Sequence, residues 1–283
     1  MPPRSTPTAR QKRLGAELRK MRLAAGMTTE FAAGLLGVPR TNVPNMESGR
    51  SGISADRVRV LASNYGCLDA RLIDALADMA SEREKGWWEA YRGTLPASFL
   101  DIAELEWHAT RLSIALTVHL PGLLQTEDRA RAVFEQVFPR LPEAEIEARV
   151  AQRMDRMLVF DKPNPPDIQV IVHEAALRME FGGPEVSRKQ LTHILGMSER
   201  DNVTVRAIPF KMGGFPGAGH SVIYAGAVVP QLDTVELDCS HGPEFLDSEL
   251  QITKYRTQLE QLDAVALAAG PSRDLIREII HQL

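Results

Sequence analysis

The stretch from Gly26 to Gly49, GMTTEFAAGLLGVPRTNVPNMESG, reads as two short helices about a tight turn. Thr28 is placed to cap the first helix, its hydroxyl accepting an N–H that the first turn leaves unpaired. Phe31, Ala32, Leu35 and Leu36 recur at helical spacing and are expected to form its buried face. Gly37 suits the left-handed residue that ends such a helix. The second helix would turn Val43 and Met46 inward and Arg40, Asn42 and Asn45 outward, with Gly49 as its stop. A helix, a glycine turn and a helix with polar residues outside is the helix-turn-helix plan.

Prolines complicate the second helix. Pro39 suits a first helical turn. Pro44 does not suit a helix that begins at Arg40, where it removes a hydrogen bond and meets a carbonyl, at about 3 kcal/mol. A later start, with Thr41 as the cap, brings Pro44 into the first turn. Either way the helix is shorter or bent and a contact at 44 is lost, so a protein-interaction or ligand-binding module without specific DNA binding is the alternative reading.

The flanks extend the helical pattern. Leu14, Leu18, Met21 and Ala25 make one apolar stripe upstream, opposite a basic face of Lys12, Arg13, Arg19, Lys20 and Arg22. Downstream, Ser54 is placed to cap a helix with Val58, Leu61 and Tyr65 inward, and Leu72, Ile73, Leu76 and Met79 mark another. Five helices fit residues 10–80. LRKMRLAAGMT, LLGV, ME-SGR and LASNYG together resemble the Cro/CI-like helix-turn-helix of the xenobiotic-response-element (XRE) family. The resemblance implies a DNA reader. Arg40, Thr41, Asn42 and Asn45 would face base edges, with Thr28, Thr29 and Arg50 beside phosphates.

The chain is 283 residues long, 44% hydrophobic and 25% charged, which fits a globular protein of two domains. No apolar run reaches membrane-span length, and MPPRSTPTAR reads as a short disordered lead over residues 1–9. With only Cys67 and Cys239, no disulfide framework is implied, and a reducing cytoplasm is the expected location. Net charge is −4, but residues 1–80 hold 12 Lys+Arg against 7 Asp+Glu and the remainder 21 against 30. A basic first domain on an acidic second one fits a nucleic-acid reader with a regulatory body.

Residues 81–110 read as an aromatic-rich linker holding all three tryptophans. Trp87, Trp88 and Tyr91 there form either a packing core or an exposed patch for a partner. From 111 to 283, strands and helices mix, which implies an α+β domain. Strands are expected at Leu112–Leu120, from Ile168, and at Val203–Ile208, Ser221–Tyr224 and Thr234–Leu237. Helices are expected from Leu123, and over Glu143–Phe160, Pro184–Leu195, Phe245–Leu267 and Ser272–Leu283. Ile146, Val150, Met154, Met157 and Leu158 would face inward.

PGLLQTEDRARAVF, the Ile146–Arg156 pattern, HEAALR, GGPEV, NVTVRAIPF and GWW…YR resemble the C-terminal domain of Scr/WhiJ-type antitoxin-like regulators of actinobacteria. That resemblance covers essentially the whole chain. It implies a DNA-binding regulator acting with a small partner protein encoded nearby, or less readily with a small-molecule ligand, and no enzymatic activity is assigned to such a domain. A homodimer on double-stranded DNA is expected because helix-turn-helix proteins bind two half-sites about one turn apart. Leu123, Gln125 and Asp128, with Trp87, Trp88 and Tyr91, are the expected partner contacts.

No catalytic or metal constellation stands out. The seven histidines are scattered, with no HxxxH or CxxC spacing. Gly213–Gly219, GGFPGAG, lacks the Lys-Ser/Thr of a phosphate loop and precedes a strand, so no cofactor is implied.

Overall fold

The computed structural model describes residues 7–82, 85–239 and 242–283. Five helices open the chain: α1 (Ala9–Ala24), α2 (Thr29–Leu36), α3 (Asn42–Glu47), α4 (Ala55–Asn64) and α5 (Ala70–Ser81). The expected lead falls mostly outside the described residues, but its end is structured. Thr8 caps α1 in a reciprocal capping box with Gln11, and Ala9 is already helical. Side-chain caps from Thr28, Ser54 and Asp69 start α2, α4 and α5. Gly37, at φ 61°, ends α2.

Leu14, Leu18, Ala32, Val43, Val58, Leu61 and Leu76 fill the core of this unit. Phe31 does not join them; it is 44% exposed. In an eight-residue helix the stripe facing the core is narrow, and Ala32 and Ala33 occupy it instead.

The joining segment is itself folded. A 3₁₀ turn over Trp87–Tyr91 packs on α6 (Ala97–His108), and Trp88, Leu95, Leu100 and Ala103 make a small core. The rings of Trp88 and Trp107 meet edge to face with centroids 6.0 Å apart. Of the two readings of this aromatic group, packing prevails.

Beyond it lies a six-stranded mixed sheet, in the order β3-β2-β1-β4-β5-β6. Its strands are β1 (Arg111–Leu116), β2 (Asp167–His173), β3 (Val203–Ile208), β4 (Val222–Gly226), β5 (Thr234–Cys239) and β6 (Gly242–Leu246). β1, β2 and β3 are parallel, and β4, β5 and β6 add antiparallel neighbours. Parallel strands need long crossovers. Helices α7 (Glu127–Phe134) and α8 (Glu143–Asp155) fill the first, and α9 (Glu174–Arg178) and α10 (Gly183–Met197) the second. The terminal helices are α11 (Glu249–Val265) and α12 (Ala269–Gln282). One sheet face is buried with α10 and α12, the other with α11.

Several boundaries differ from expectation. β1 stops at Leu116, well before Leu120. The helix expected from Leu123 starts at Glu127, because Thr126 caps there and Gly122–Leu124 form a 3₁₀ turn. α8 gives way to a 3₁₀ segment over Arg156–Asp161, which leaves Leu158 44% exposed. Phe245 lies in β6 and not in a helix; α11 begins only where Ser248 caps it.

Candidate nucleic-acid interface

Two supports fix the short helix α3. The first is a buried ion pair. Arg22 Nε and Nη2 donate to the two carboxylate oxygens of Glu47 at 2.6 and 2.8 Å, and Nη1 donates to the Met27 carbonyl at 2.9 Å. The Glu47 hydrogen bonds hold the Arg22 guanidinium above its ordinary pKa. Arg22, expected on an exposed basic face, is thus a buried clamp between α1 and α3. Burial near Glu47 pushes the Tyr65 hydroxyl up to about 12, so it stays protonated beside the pair.

The second support is glycine. A Cβ on Gly15 would lie 2.5 Å from the Glu47 carbonyl oxygen, so only a bare α-carbon lets α1 approach α3 this closely. Gly49, at φ 74°, also packs closely on the Gln11 backbone, where a Cβ would lie 2.9 Å from the Gln11 carbonyl.

α3 begins at Asn42, which makes Pro44 its third residue. N–H groups in a helical first turn have no partner within the helix, so the missing donor removes nothing there. The Arg40 carbonyl accepts from Val43 N at 3.3 Å, and the Pro44 carbonyl is free to accept from Ser48 N at 3.0 Å. Thr41 precedes the helix as expected, but its side chain makes no capping bond because its backbone is already in the right-handed helical region.

Thr28, Arg40, Thr41 and Arg50 are exposed, and Thr29, Asn42 and Asn45 are half-buried. Arg40 Nη1 lies 4.0 Å from Glu30 Oε2, which brings the start of α2 beside the turn into α3. Five of the predicted residues, Arg40, Thr41, Asn42, Asn45 and Arg50, lie on the turn into α3, on α3 or just after it. Thr28 and Thr29 lie at the neighbouring start of α2. Pro44 on α3 and Ser48 just after it are exposed as well, and Arg57 is exposed on the first turn of α4. The sequence did not single out Ser48 or Arg57, and the proline at 44 was expected to cost a contact there.

The predicted partner residues scatter instead. Trp88, Leu123 and Gln125 are buried, at 4%, 1% and 2% exposure. Gln125 donates to the Leu120 carbonyl at 2.7 Å and accepts from Arg153 at 2.7 Å, so its polar groups serve the interior. Trp87 and Tyr91 are half-buried, and Tyr91 donates to Asp155 at 2.6 Å. Only Asp128 is exposed, 3.6 Å from Lys189. These six residues do not form one contact surface. Among the described residues, which exclude His241, no group of three or more His, Cys, Asp or Glu is placed to hold a metal. No helix there is long and apolar enough to cross a membrane.

A family model described as a helix-turn-helix domain matches residues 13–76, the unit that carries this surface. A second, described as a domain of unknown function (DUF5753), matches residues 99–278, well over half the chain. The chain belongs to the DUF5753 family. No curated protein and no solved structure matches it.

The DUF5753 unit grips the helix-turn-helix unit directly. Val229 and Leu232 enter the core of the first domain. Arg13, 8% exposed, donates to the carbonyls of Gln231 and Asp247 and pairs with Asp247 at 3.2 Å. Burial lowers the Arg13 pKa despite its carboxylate neighbours. Gln231 Nε2 returns a bond to Asp69 at 2.7 Å. The expected basic face of α1 is therefore partly an interdomain contact.

Proposed function

We propose that this protein is a sequence-specific, DNA-binding transcriptional regulator of the cytoplasm, of the antitoxin-like kind. The observation that carries the reading is the late start of α3. It accommodates Pro44 and leaves Arg40, Thr41, Asn42 and Asn45 on a clamped, accessible turn and helix. Arg suits guanine and Asn suits adenine in the major groove, while Thr28, Thr29 and Arg50 suit phosphates. A single helix-turn-helix gives limited contact, so the reading includes a homodimer on two half-sites about one helical turn apart. The DUF5753 domain supplies the dimer contact and responds to a small partner protein or ligand. The reading gives the chain no catalytic step.

Selection of duplexes from a random pool by the full-length protein tests this. Recovery of a two-part repeated sequence is expected. Arg40→Ala and Asn45→Ala should each weaken binding to that duplex by about 1–3 kcal/mol and relax preference at one position. Both should leave thermal stability unmoved. Light scattering should give a dimer. Unchanged affinity and preference in the double variant would remove this surface as the reader.

A second reading draws on the shortness of α3, six residues or about 9 Å of helix. On it, the module docks protein and not DNA. Absence of any enriched duplex, with a dimer and a clean fold, would favour it.

A further inference from the structure

A cavity of about 550 Å³ lies between the two domains. That is within the usual range for small-molecule sites, roughly 300–1,000 Å³. Its apolar walls come from both units: Ala16 of α1, Met79 of α5, Leu105 of α6, Val228 and Phe245.

The charges around it are unbalanced. Of its three cations, Arg10 is paired with Glu82 at 3.1 Å, and Arg13 with Glu17 and Asp247, both at 3.2 Å. Asp101 is occupied by the Ala9 N–H at 2.9 Å. Asp78, Glu104 and Glu244 line the cavity without an ion-pair partner among the described residues, against Lys12 alone. Thr8 hydrogen-bonds the Glu104 carboxylate, whose Oε2 is buried and accepts no hydrogen bond from the described residues. A buried acceptor left unpaired is unfavourable, and a turn of the carboxylate toward the cavity would let a bound donor relieve it.

We propose that this cavity binds a small organic cation, an apolar body bearing a protonated amine that pairs with Glu104, and that its occupancy tunes DNA binding. The tuning rests on the DNA-binding reading above; the binding does not. Helix α1 is the link. Ala9, Lys12, Arg13 and Ala16, at helical spacing, form its cavity face. Gln11, Gly15 and Arg22 form the face that holds α3 and Gly49. A ligand that favours one seating of α1 on the body therefore biases the helix that supports α3, and differential affinity for two seatings is what control requires.

The test uses the full-length protein and calorimetry with 3-phenylpropylamine, against 3-phenylpropionate and 3-phenylpropanol. Saturable millimolar binding of the amine is expected, with the acid and alcohol at least roughly tenfold weaker. Glu104→Gln, which keeps the shape, and Ala16→Leu, which fills the cavity, should each weaken the amine by a similar factor; melting curves confirm that both variants fold.

Burial pushes the Glu104 carboxyl up to about 7, opposed by Thr8 and Arg10 and reinforced by Asp101 and Glu82. His108, on the same helix, is pushed down to about 3 by burial and stays neutral. Amine binding should therefore tighten from about pH 6 to about pH 8 as Glu104 loses its proton. The selected duplex is then titrated with and without amine.

Equal binding of acid and amine, absence of heat with the amine, or binding indifferent to both substitutions would overturn the site. Amine binding that leaves duplex affinity unmoved would overturn the tuning alone. Failure to select any duplex would strike the DNA reading and leave the calorimetric result standing.

Discussion

In the helix-turn-helix unit, the buried Arg22 is matched by one carboxylate through two short bonds. In the DUF5753 unit, Arg129 is 1% exposed yet bonds only the carbonyls of Met179 and Phe181, and its Nε and Nη2 have no partner among the described residues. Its guanidinium lies 4.6 Å over the Phe181 ring, and burial pulls its pKa down to about 10. Arg153 stacks on Phe134 and is likewise pulled down, to about 9. Nearby, Glu236 is 3% exposed and pushed up to about 8 by burial, with Asp238 and Glu106 adding to the push and Arg156 opposing it. The first domain uses buried charge to fix one geometry. The second holds one such matched pair, Arg156 with Glu106, beside buried charges that its own residues leave incompletely balanced.

Breaking the matched pair should have the largest effect. Arg22→Ala leaves the Glu47 carboxylate buried and alone, which typically destabilises by about 3–5 kcal/mol. Thermal melting should show the helix-turn-helix unit loosening, and duplex binding should fall with it. An Arg22→Ala protein as stable as the parent would show that α3 is held by apolar packing alone.

The unbalanced set should respond in the opposite direction. The Glu236 carboxyl titrates near 8 when folded and near its ordinary value when unfolded. A raised carboxyl pKa favours the folded state only in its protonated form. That advantage is complete below the unfolded value and is lost as pH rises from about 4.5 through about 8. Glu236→Gln should therefore stabilise at pH 8, by on the order of 1–3 kcal/mol, and have little effect at pH 4. Melting temperatures of parent and variant across that range decide it. A constant difference would mean that the folded-state pKa of Glu236 is not raised.

The same contrast governs how much was legible beforehand. The five helices, the caps of Thr28 and Ser54 and the glycine turn were readable because each signal is local: Thr28 caps Phe31 N, three residues on. The strands were readable from β-rich runs. The clamp was not. Arg13 and Arg22 look like any solvated arginine on a helix face, and Asp247, the partner of Arg13, lies 234 residues away. β6 was hidden because Phe245 begins a pattern that α11 continues. Of the candidate contact residues, those on the motif were chosen by type and spacing, while burial of Leu123 and Gln125 depends on packing that no periodicity records.

The smallest effect expected is also the most discriminating for the proposed DNA-reading surface. With Pro44 as the third residue of α3, its missing N–H has no helical bond to lose. Its fixed φ should then help slightly, by narrowing the unfolded chain. Pro44→Ala should destabilise by about 0.4–1 kcal/mol. A helix beginning at Arg40 would give the reverse sign, a gain approaching 3 kcal/mol on removing the proline. Denaturant midpoints of the two proteins separate these outcomes by sign alone. If Pro44→Ala stabilises strongly, α3 is strained at its centre, and the placement of Asn42 and Asn45 on the reading surface falls with it.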